Sequence, residues 1–253
     1  NFITEEKVIR NSLIVDEGDP YNEYLFQKSI SNIKSRGIFK SVKPNVRKSE
    51  KDNQMRIIDI NVEERPTGEI FAGAGAGTTG STLTAGIKEN NYLGKGIGLS
   101  TFLSLSEDQI KGKFSVENPN YKNTDRSLNT VIESTSSDFL STGGFKTSRT
   151  GFGIGTGFEQ YSDLYVNLDI SAYYEKLETS SAASLYKRRQ EGDYIENLFS
   201  YGLTLNKLDQ NFQPTDGYKI NFKQVLPIYS DDLSIDNTLN YSKYHSVSDN
   251  LIL

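Results

Sequence analysis

Glu63-Glu64-Arg65-Pro66-Thr67-Gly68, followed by Ile70-Phe71-Ala72-Gly73-Ala74-Gly75-Ala76-Gly77, divides the 253-residue chain into two kinds of sequence. Before it, apolar residues recur at helical spacing and then in two short alternating runs. After it the period is two, and no convincing helix is expected again. Pro66 has no N–H and Gly68 is free to take positive φ, so a strand cannot run straight through. The pair Pro66 and Gly68 is therefore expected to act as a hinge. A turn at Thr78-Thr79-Gly80 leads into Ser81-Thr82-Leu83-Thr84-Ala85-Gly86-Ile87-Lys88, making a hairpin whose first strand is nearly all Ala and Gly.

Upstream, Thr4 before Glu5-Glu6 suits an N-cap with acids at the positive end of a helix dipole. A second helix is expected from about Tyr21 to Ser35, with Leu25, Ile30 and Ile33 inward and Gly37 ending it. Phe39 to Val46 and Met55 to Glu63 read as strands around a charged turn at 48–53. In the second, Ile58, Ile60 and Val62 alternate with Asp59, Asn61 and Glu63. Residues 1–65 thus form a small α/β module, with room for a further strand before residue 1, and 66–253 form the second region.

That second region divides into about ten strands: 69–77, 81–88, 96–106, 109–118, 126–136, 146–158, 163–177, 196–207, 217–226 and 232–245. In the clearest, Leu164, Val166, Leu168, Ile170, Ala172 and Tyr174 share one face, and Tyr165, Asn167, Asp169, Ser171, Tyr173 and Glu175 the other. Only 35% of the chain is hydrophobic, against about 45–50% in ordinary globular proteins. A sheet with one apolar and one polar face gives such a balance. Alternation alone fits a soluble β-sandwich as well as a barrel with a wet lumen. Strands near or above ~10 residues, with Tyr92, Tyr121, Tyr161 and Tyr218 near strand ends, favour a membrane-spanning barrel.

Composition excludes much else. There is no cysteine and a single histidine, His245, so thiol chemistry, Cys zinc sites and two-His metal sites are ruled out. The net charge of −5 argues against a nucleic-acid partner. Gly75-Ala76-Gly77-Thr78-Thr79-Gly80 matches G-x-G-x-x-G, but a strand follows where a dinucleotide site needs a helix. Gly151 to Gly157 reads as a strand with one bare face, which admits a close backbone or a bend. Lys187-Arg188-Arg189 reads as a solvated loop. No nucleophile has a base beside it, so no catalytic residue, metal site or cofactor is expected. A barrel esterase would have to use His245.

Four further stretches then carry a resemblance. Asn90-Asn91-Tyr92-Leu93-Gly94-Lys95-Gly96, Asn118-Pro119-Asn120-Tyr121 and Asp209 to Gly217 around Pro214-Thr215 stand where turns of a known barrel stand, and Glu64-Arg65-Pro66-Thr67-Gly68 stands at its entry. Together with Glu17-Gly18-Asp19 and Gly37-Ile38-Phe39 in the first module, the chain resembles the BamA-type outer-membrane β-barrel assembly proteins. The resemblance implies an α+β POTRA (polypeptide-transport-associated) module in the periplasm, followed by an antiparallel transmembrane β-barrel in the Gram-negative outer membrane. The family's barrel has sixteen strands, so about ten imply a fragment that stops within an apparent strand at Asn250-Leu251-Ile252-Leu253. Also implied is a non-enzymatic role in folding and inserting nascent outer-membrane β-barrel proteins, with accessory assembly lipoproteins and outer-membrane lipid as partners. Within that role the poorly anchored first strand, Phe71, Ala72, Gly73, Ala74, Gly75, Ala76 and Gly77, is the expected edge for a client strand. The module's second strand offers another edge at Arg56, Ile58 and Ile60. A secretion or translocation pore of the same superfamily, or a passive barrel, remains an alternative.

Overall fold

The computed structural model describes residues 3–50, 55–77, 80–210, 213–230, 233–248 and 251–252. The expected turn residues Thr78 and Thr79, part of the charged turn at 48–53, and Asn250 and Leu253 lie outside them. The chain begins with helix α1 (Glu6–Arg10) and helix α2 (Glu23–Ser35), then strands β1 (Phe39–Lys48) and β2 (Arg56–Glu64), which pair antiparallel. Asn22 caps α2 by accepting from the Leu25 N–H at 3.1 Å, and Gly37, at φ 67°, follows its end. One stripe of α2, Phe26, Ile30 and Ile33, joins Val8, Ile38 and Phe39 in a closed core. Ile58, Ile60 and Val62 of β2 pack against it from the sheet.

Two expectations in this module are corrected. Phe26, not Leu25, completes the inward stripe: it stands four and seven residues before Ile30 and Ile33, so all three share one helix face. Thr4 does not cap α1, whose N-cap is Glu5 and makes no side-chain cap bond. The Thr4 hydroxyl is engaged elsewhere, with Asn91.

The second region is one antiparallel sheet of ten strands in sequence order. They are β3 (Gly68–Gly77), β4 (Gly80–Tyr92), β5 (Ile97–Ser106), β6 (Gln109–Asn118), β7 (Arg126–Phe139), β8 (Phe145–Tyr161), β9 (Leu164–Thr179), β10 (Gly192–Leu208), β11 (Gly217–Tyr229) and β12 (Asp236–Tyr244). Several outrun their expected ends. β10 starts at Gly192 because its ladder with β9 continues to Leu177, past the apolar alternation that marked it in the sequence. A separate small pair, β13 (Ser246–Ser248) and β14 (Leu251–Ile252), follows. Helices do recur after Gly68. The Lys187-Arg188-Arg189 run belongs to one-turn helix α3 (Leu185–Arg189), where Ser184 Oγ accepts from Lys187 N–H at 3.2 Å, and Tyr121–Asn123 forms a 3₁₀ turn.

Alternation sorts the sheet into two faces. Ile70, Ile87, Phe114, Ile132 and Phe152 are register partners in pairs or through Thr101, and all of them are exposed on the apolar face. The opposite row runs Phe71, Gly86, Phe102, Lys113, Glu133, Gly151, Tyr173 and Glu196 across eight strands. Its polar centre is cross-linked. Arg149 stacks 4.1 Å from the Tyr173 ring centroid, reaches Glu196 at 2.8 Å and lies 3.6 Å from Glu175. Tyr173 donates to Glu133 at 3.2 Å. Gly151, Gly155 and Gly157 of β8 are bare chiefly because side chains of neighbouring strands occupy that space. A Cβ at Gly151 would fall 2.0 Å from the Tyr173 ring, and one at Gly155 would fall 1.9 Å from Asp169 Oδ1.

Candidate functional site: a free strand edge and a docked periplasmic module

β3 is bonded to β4 on one side, from Gly68↔Glu89 to Gly77↔Gly80, and among the described residues no strand pairs with its other side. Every residue of the strand is exposed. Ile70 points outward at 82% exposure, whereas Phe71 lays its ring across Gly86, where a Cβ would stand 2.3 Å from Phe71 Cζ. Gly73, Gly75 and Gly77 have open space where a side chain would be. Beyond Phe71, β3 is thus held by its backbone ladder and by alanine methyls. A strand that buries so little opens at low cost.

The entry to β3 is tied down. Arg65 N–H donates to Ile38 O at 3.2 Å, its Nε donates to Gly37 O at 2.6 Å, and Asn90 N–H donates to Thr67 O at 3.3 Å. The link between β2 and β3 is Arg65-Pro66-Thr67; Gly68, expected to act as a hinge with Pro66, opens β3 and does not use positive φ. Arg56 is exposed, while the side chains of Ile58 and Ile60 turn into the module's core. The edge of β2 is unpaired among the described residues, so what these positions offer a partner is backbone.

The turn Asn90–Gly96, singled out above only as a turn, binds the first module. The Glu64 carboxylate accepts from Thr4 N–H at 2.6 Å and from Ile3 N–H at 3.0 Å. Burial pushes its pKa up, but these bonds outweigh it and hold the group below the usual value. The segment so fixed lies on the turn: Glu5 N–H donates to Gly94 O at 2.8 Å. Asn91 donates to Thr4 Oγ1 at 2.8 Å and accepts from Gly96 N–H at 2.7 Å. Gly94, at φ 73°, passes so close that a Cβ would sit 2.0 Å from Ile3 O. Only glycine allows both the conformation and the contact.

A second tether lies at the β8–β9 turn. Asp163 holds Lys28 of α2 at 2.7 Å and Lys207 of β10 at 2.8 Å. Lys207 first and Lys28 second keep its carboxyl below the usual carboxylate range. Its unfolded pKa is about 3.9, so the stabilisation is complete above that pH and is lost as pH falls through the lower folded value. Asp163→Asn should therefore lower the melting temperature at pH 7, and the gap to wild type should close as the pH drops below about 4. A gap that persists in acid would show that charge is not what Asp163 contributes.

His245 lies 3.6 Å from Asp216 with its side chain 70% exposed, far from an enclosed catalytic arrangement. No group of three or more metal-binding side chains occurs among the described residues.

Comparison with known proteins decides the family. The Omp85 superfamily domain profile matches residues 91–253, and the POTRA profile, described as a surface antigen variable number repeat, matches residues 1–65. The chain belongs to the Omp85 superfamily. It is similar to the outer membrane protein assembly factor BamA of Neorickettsia risticii, 29% identical over 88% of this chain and 30% of the relative. It is also similar to BamA of Neisseria meningitidis, 24% identical over 90% of this chain and 31% of the relative. The crystal structure of BamA from Haemophilus ducreyi lacking POTRA domains 1–3 superposes with TM-score 0.68 at 21% identity, covering 98% of this chain and 50% of that one. CdiB from Acinetobacter baumannii gives 0.58 at 10% identity, covering 95% and 47%. The chain thus spans about a third of the curated relatives it matches. It is a POTRA module joined to part of an outer-membrane β-barrel, with the module on the periplasmic side. The turns that carry the module, 92–97, 118–126 and 161–164, are therefore the periplasmic ones.

Proposed function

We propose that this chain is the client-receiving part of an outer-membrane protein assembly factor, and that β3 is the template edge on which an incoming strand pairs. One observation carries the reading: seven of the ten residues of β3 are Ala or Gly, with open space at Gly73, Gly75 and Gly77, so the strand buries little against β4 and is held there mainly by its backbone ladder. Relatives similar to this chain are named as outer membrane protein assembly factors, which supports an assembly or translocation role in the membrane. Within lipid, each unsatisfied backbone group costs several kcal/mol. A client strand relieves that cost through main-chain hydrogen bonds, which need no particular client sequence. The bare faces of Gly73, Gly75 and Gly77 leave room for client side chains of any size.

In this reading β2, with Arg56, Ile58 and Ile60, offers a periplasmic edge to clients or to accessory lipoproteins, and the apolar face of the sheet meets outer-membrane lipid. The Arg65-Pro66-Thr67 link sets the angle between module and barrel. Depletion of the full-length parent should leave unfolded outer-membrane barrels in the periplasm while secretion of soluble proteins continues. Normal barrel assembly with a block in export of one secreted partner would instead make it a translocation pore.

A further inference from the structure

Two clefts flank the junction where α2 meets the periplasmic turns, and Arg36 and Pro119 line both. The smaller, a cavity of about 130 Å³, is bordered by Lys7, Arg36, Lys95 and Lys122 with asparagine amides between them and no carboxylate. The larger, about 440 Å³, adds Arg65 and Lys88, with Glu117 as its one acid. Six cations therefore face one acid in a chain whose net charge is −5. Some of this charge is already engaged: Lys7 pairs with Glu5 at 2.5 Å, and Lys122 stacks on Tyr121.

Arg36 is the exception. Its Nε donates to Ser12 Oγ at 2.6 Å, and no carboxylate pairs with it among the described residues. Burial pulls its pKa below the ordinary guanidinium value, with no counter-charge to offset the cost. Its Nη1 lies over Gly96, where a Cβ would stand 3.4 Å away, so the backbone is bare where the guanidinium passes. A half-buried cation without a counter-charge, beside a cavity walled by further cations and amide donors, is arranged to receive an anion.

We propose that this junction binds a phosphate group, with Arg36 as its central ligand and Lys95 and Lys122 completing the charge. A phosphate carries about −1.5 to −2 charges at neutral pH and takes the forked donors of arginine, which suits several cations better than a single carboxylate does. The phosphate comes either from a free oxyanion or from a phospholipid headgroup. Because the cleft bridges module and barrel turns, occupancy ties the POTRA module to the barrel. The site is separate from the β3 edge, so its test does not depend on the assembly reading.

The test titrates inorganic phosphate into the purified full chain in a maltoside detergent, by calorimetry, with phospholipid retained on the protein measured by mass spectrometry. Saturable phosphate binding is expected, weakened about tenfold or more by Arg36→Gln and by Lys122→Gln, and unchanged by Lys43→Gln on exposed β1. Lys122 lies in an exposed turn, so that variant reads binding without risk to folding. If the headgroup is the source, bound phospholipid survives purification, is lost from both variants, and blocks added phosphate until it is stripped. Absence of both phosphate and phospholipid binding overturns the proposal, as does binding that neither variant weakens.

Discussion

Of two proline variants placed side by side in β3, Gly73→Pro and Ala74→Pro, one should cut barrel assembly about tenfold or more while the protein stays folded. Along an antiparallel strand the N–H and C=O groups of successive residues point to alternate sides. One of the two substitutions therefore deletes an N–H aimed at β4, and the other deletes an N–H on the open side. The first breaks a bond of the Gly68–Gly77 ladder and should lower heat stability by roughly 1–3 kcal/mol. The second leaves that ladder whole and removes a donor that only a client strand would use. Its melting temperature should match wild type, while assembly of outer-membrane barrels, followed by the mobility difference between unheated and heated samples, drops about tenfold or more. Equal assembly by the open-side variant and wild type would mean that clients do not read the backbone of β3.

Gly94→Val should have the largest effect on how the module sits. The substitution demands a left-handed backbone that costs a β-branched residue about 1–2 kcal/mol or more, and its Cβ would fall 2.0 Å from Ile3 O. Neither the turn nor the Ile3–Glu5 segment can give way cheaply, since Glu64, Gly94 and Asn91 hold that segment from three directions. The module should undock, with fast amide exchange at Thr4 and Glu5 and with β5 to β10 unchanged. Gly73→Ala, into open space, is the matched control and should change neither. Protection at Glu5 that survives Gly94→Val would show that the docked arrangement does not depend on this turn.

Much of this was legible in the sequence because period two is a strong signal when one face must meet lipid and the other water. β6 was expected at its observed ends, since Ile110, Phe114 and Val116 are punctuated by charged residues and bounded by turn residues. The start of β10 is not legible in the sequence because Gly192 to Ile195 carry mixed polarity: that segment is ordered by its ladder with β9, not by an apolar face. Helical period alone does not separate Leu25 from Phe26, since both fall near the apolar stripe; packing in the cluster with Val8 and Phe39 does. The α3 turn depends on one serine cap in a polar loop, which no periodicity announces. The weak anchoring of β3 is legible in its Ala-Gly composition, since three of its glycines leave open space where side chains would pack. The docking of the module is not: Asn91, Gly94 and Gly96 read as turn residues, and what they touch lies about 90 residues earlier in the chain. The lysines and arginine around the Arg36 clefts likewise come from distant segments and gather only in the fold.

The central claim is that clients pair with β3, and single cysteines placed in this cysteine-free segment make it directly measurable. A single cysteine at Ala72, Ala74 or Ala76 of the full-length parent would be combined with single cysteines along the terminal strand of a client barrel, and disulfide formation followed during assembly. The account predicts cross-links in an antiparallel or parallel register that shift by two client positions for every two positions moved along β3. It also predicts none from matched cysteines on the lipid face of β8, such as Phe152→Cys or Ile154→Cys. Cross-links scattered without register, or assembly that runs to completion with β3 never touching the client, would contradict it.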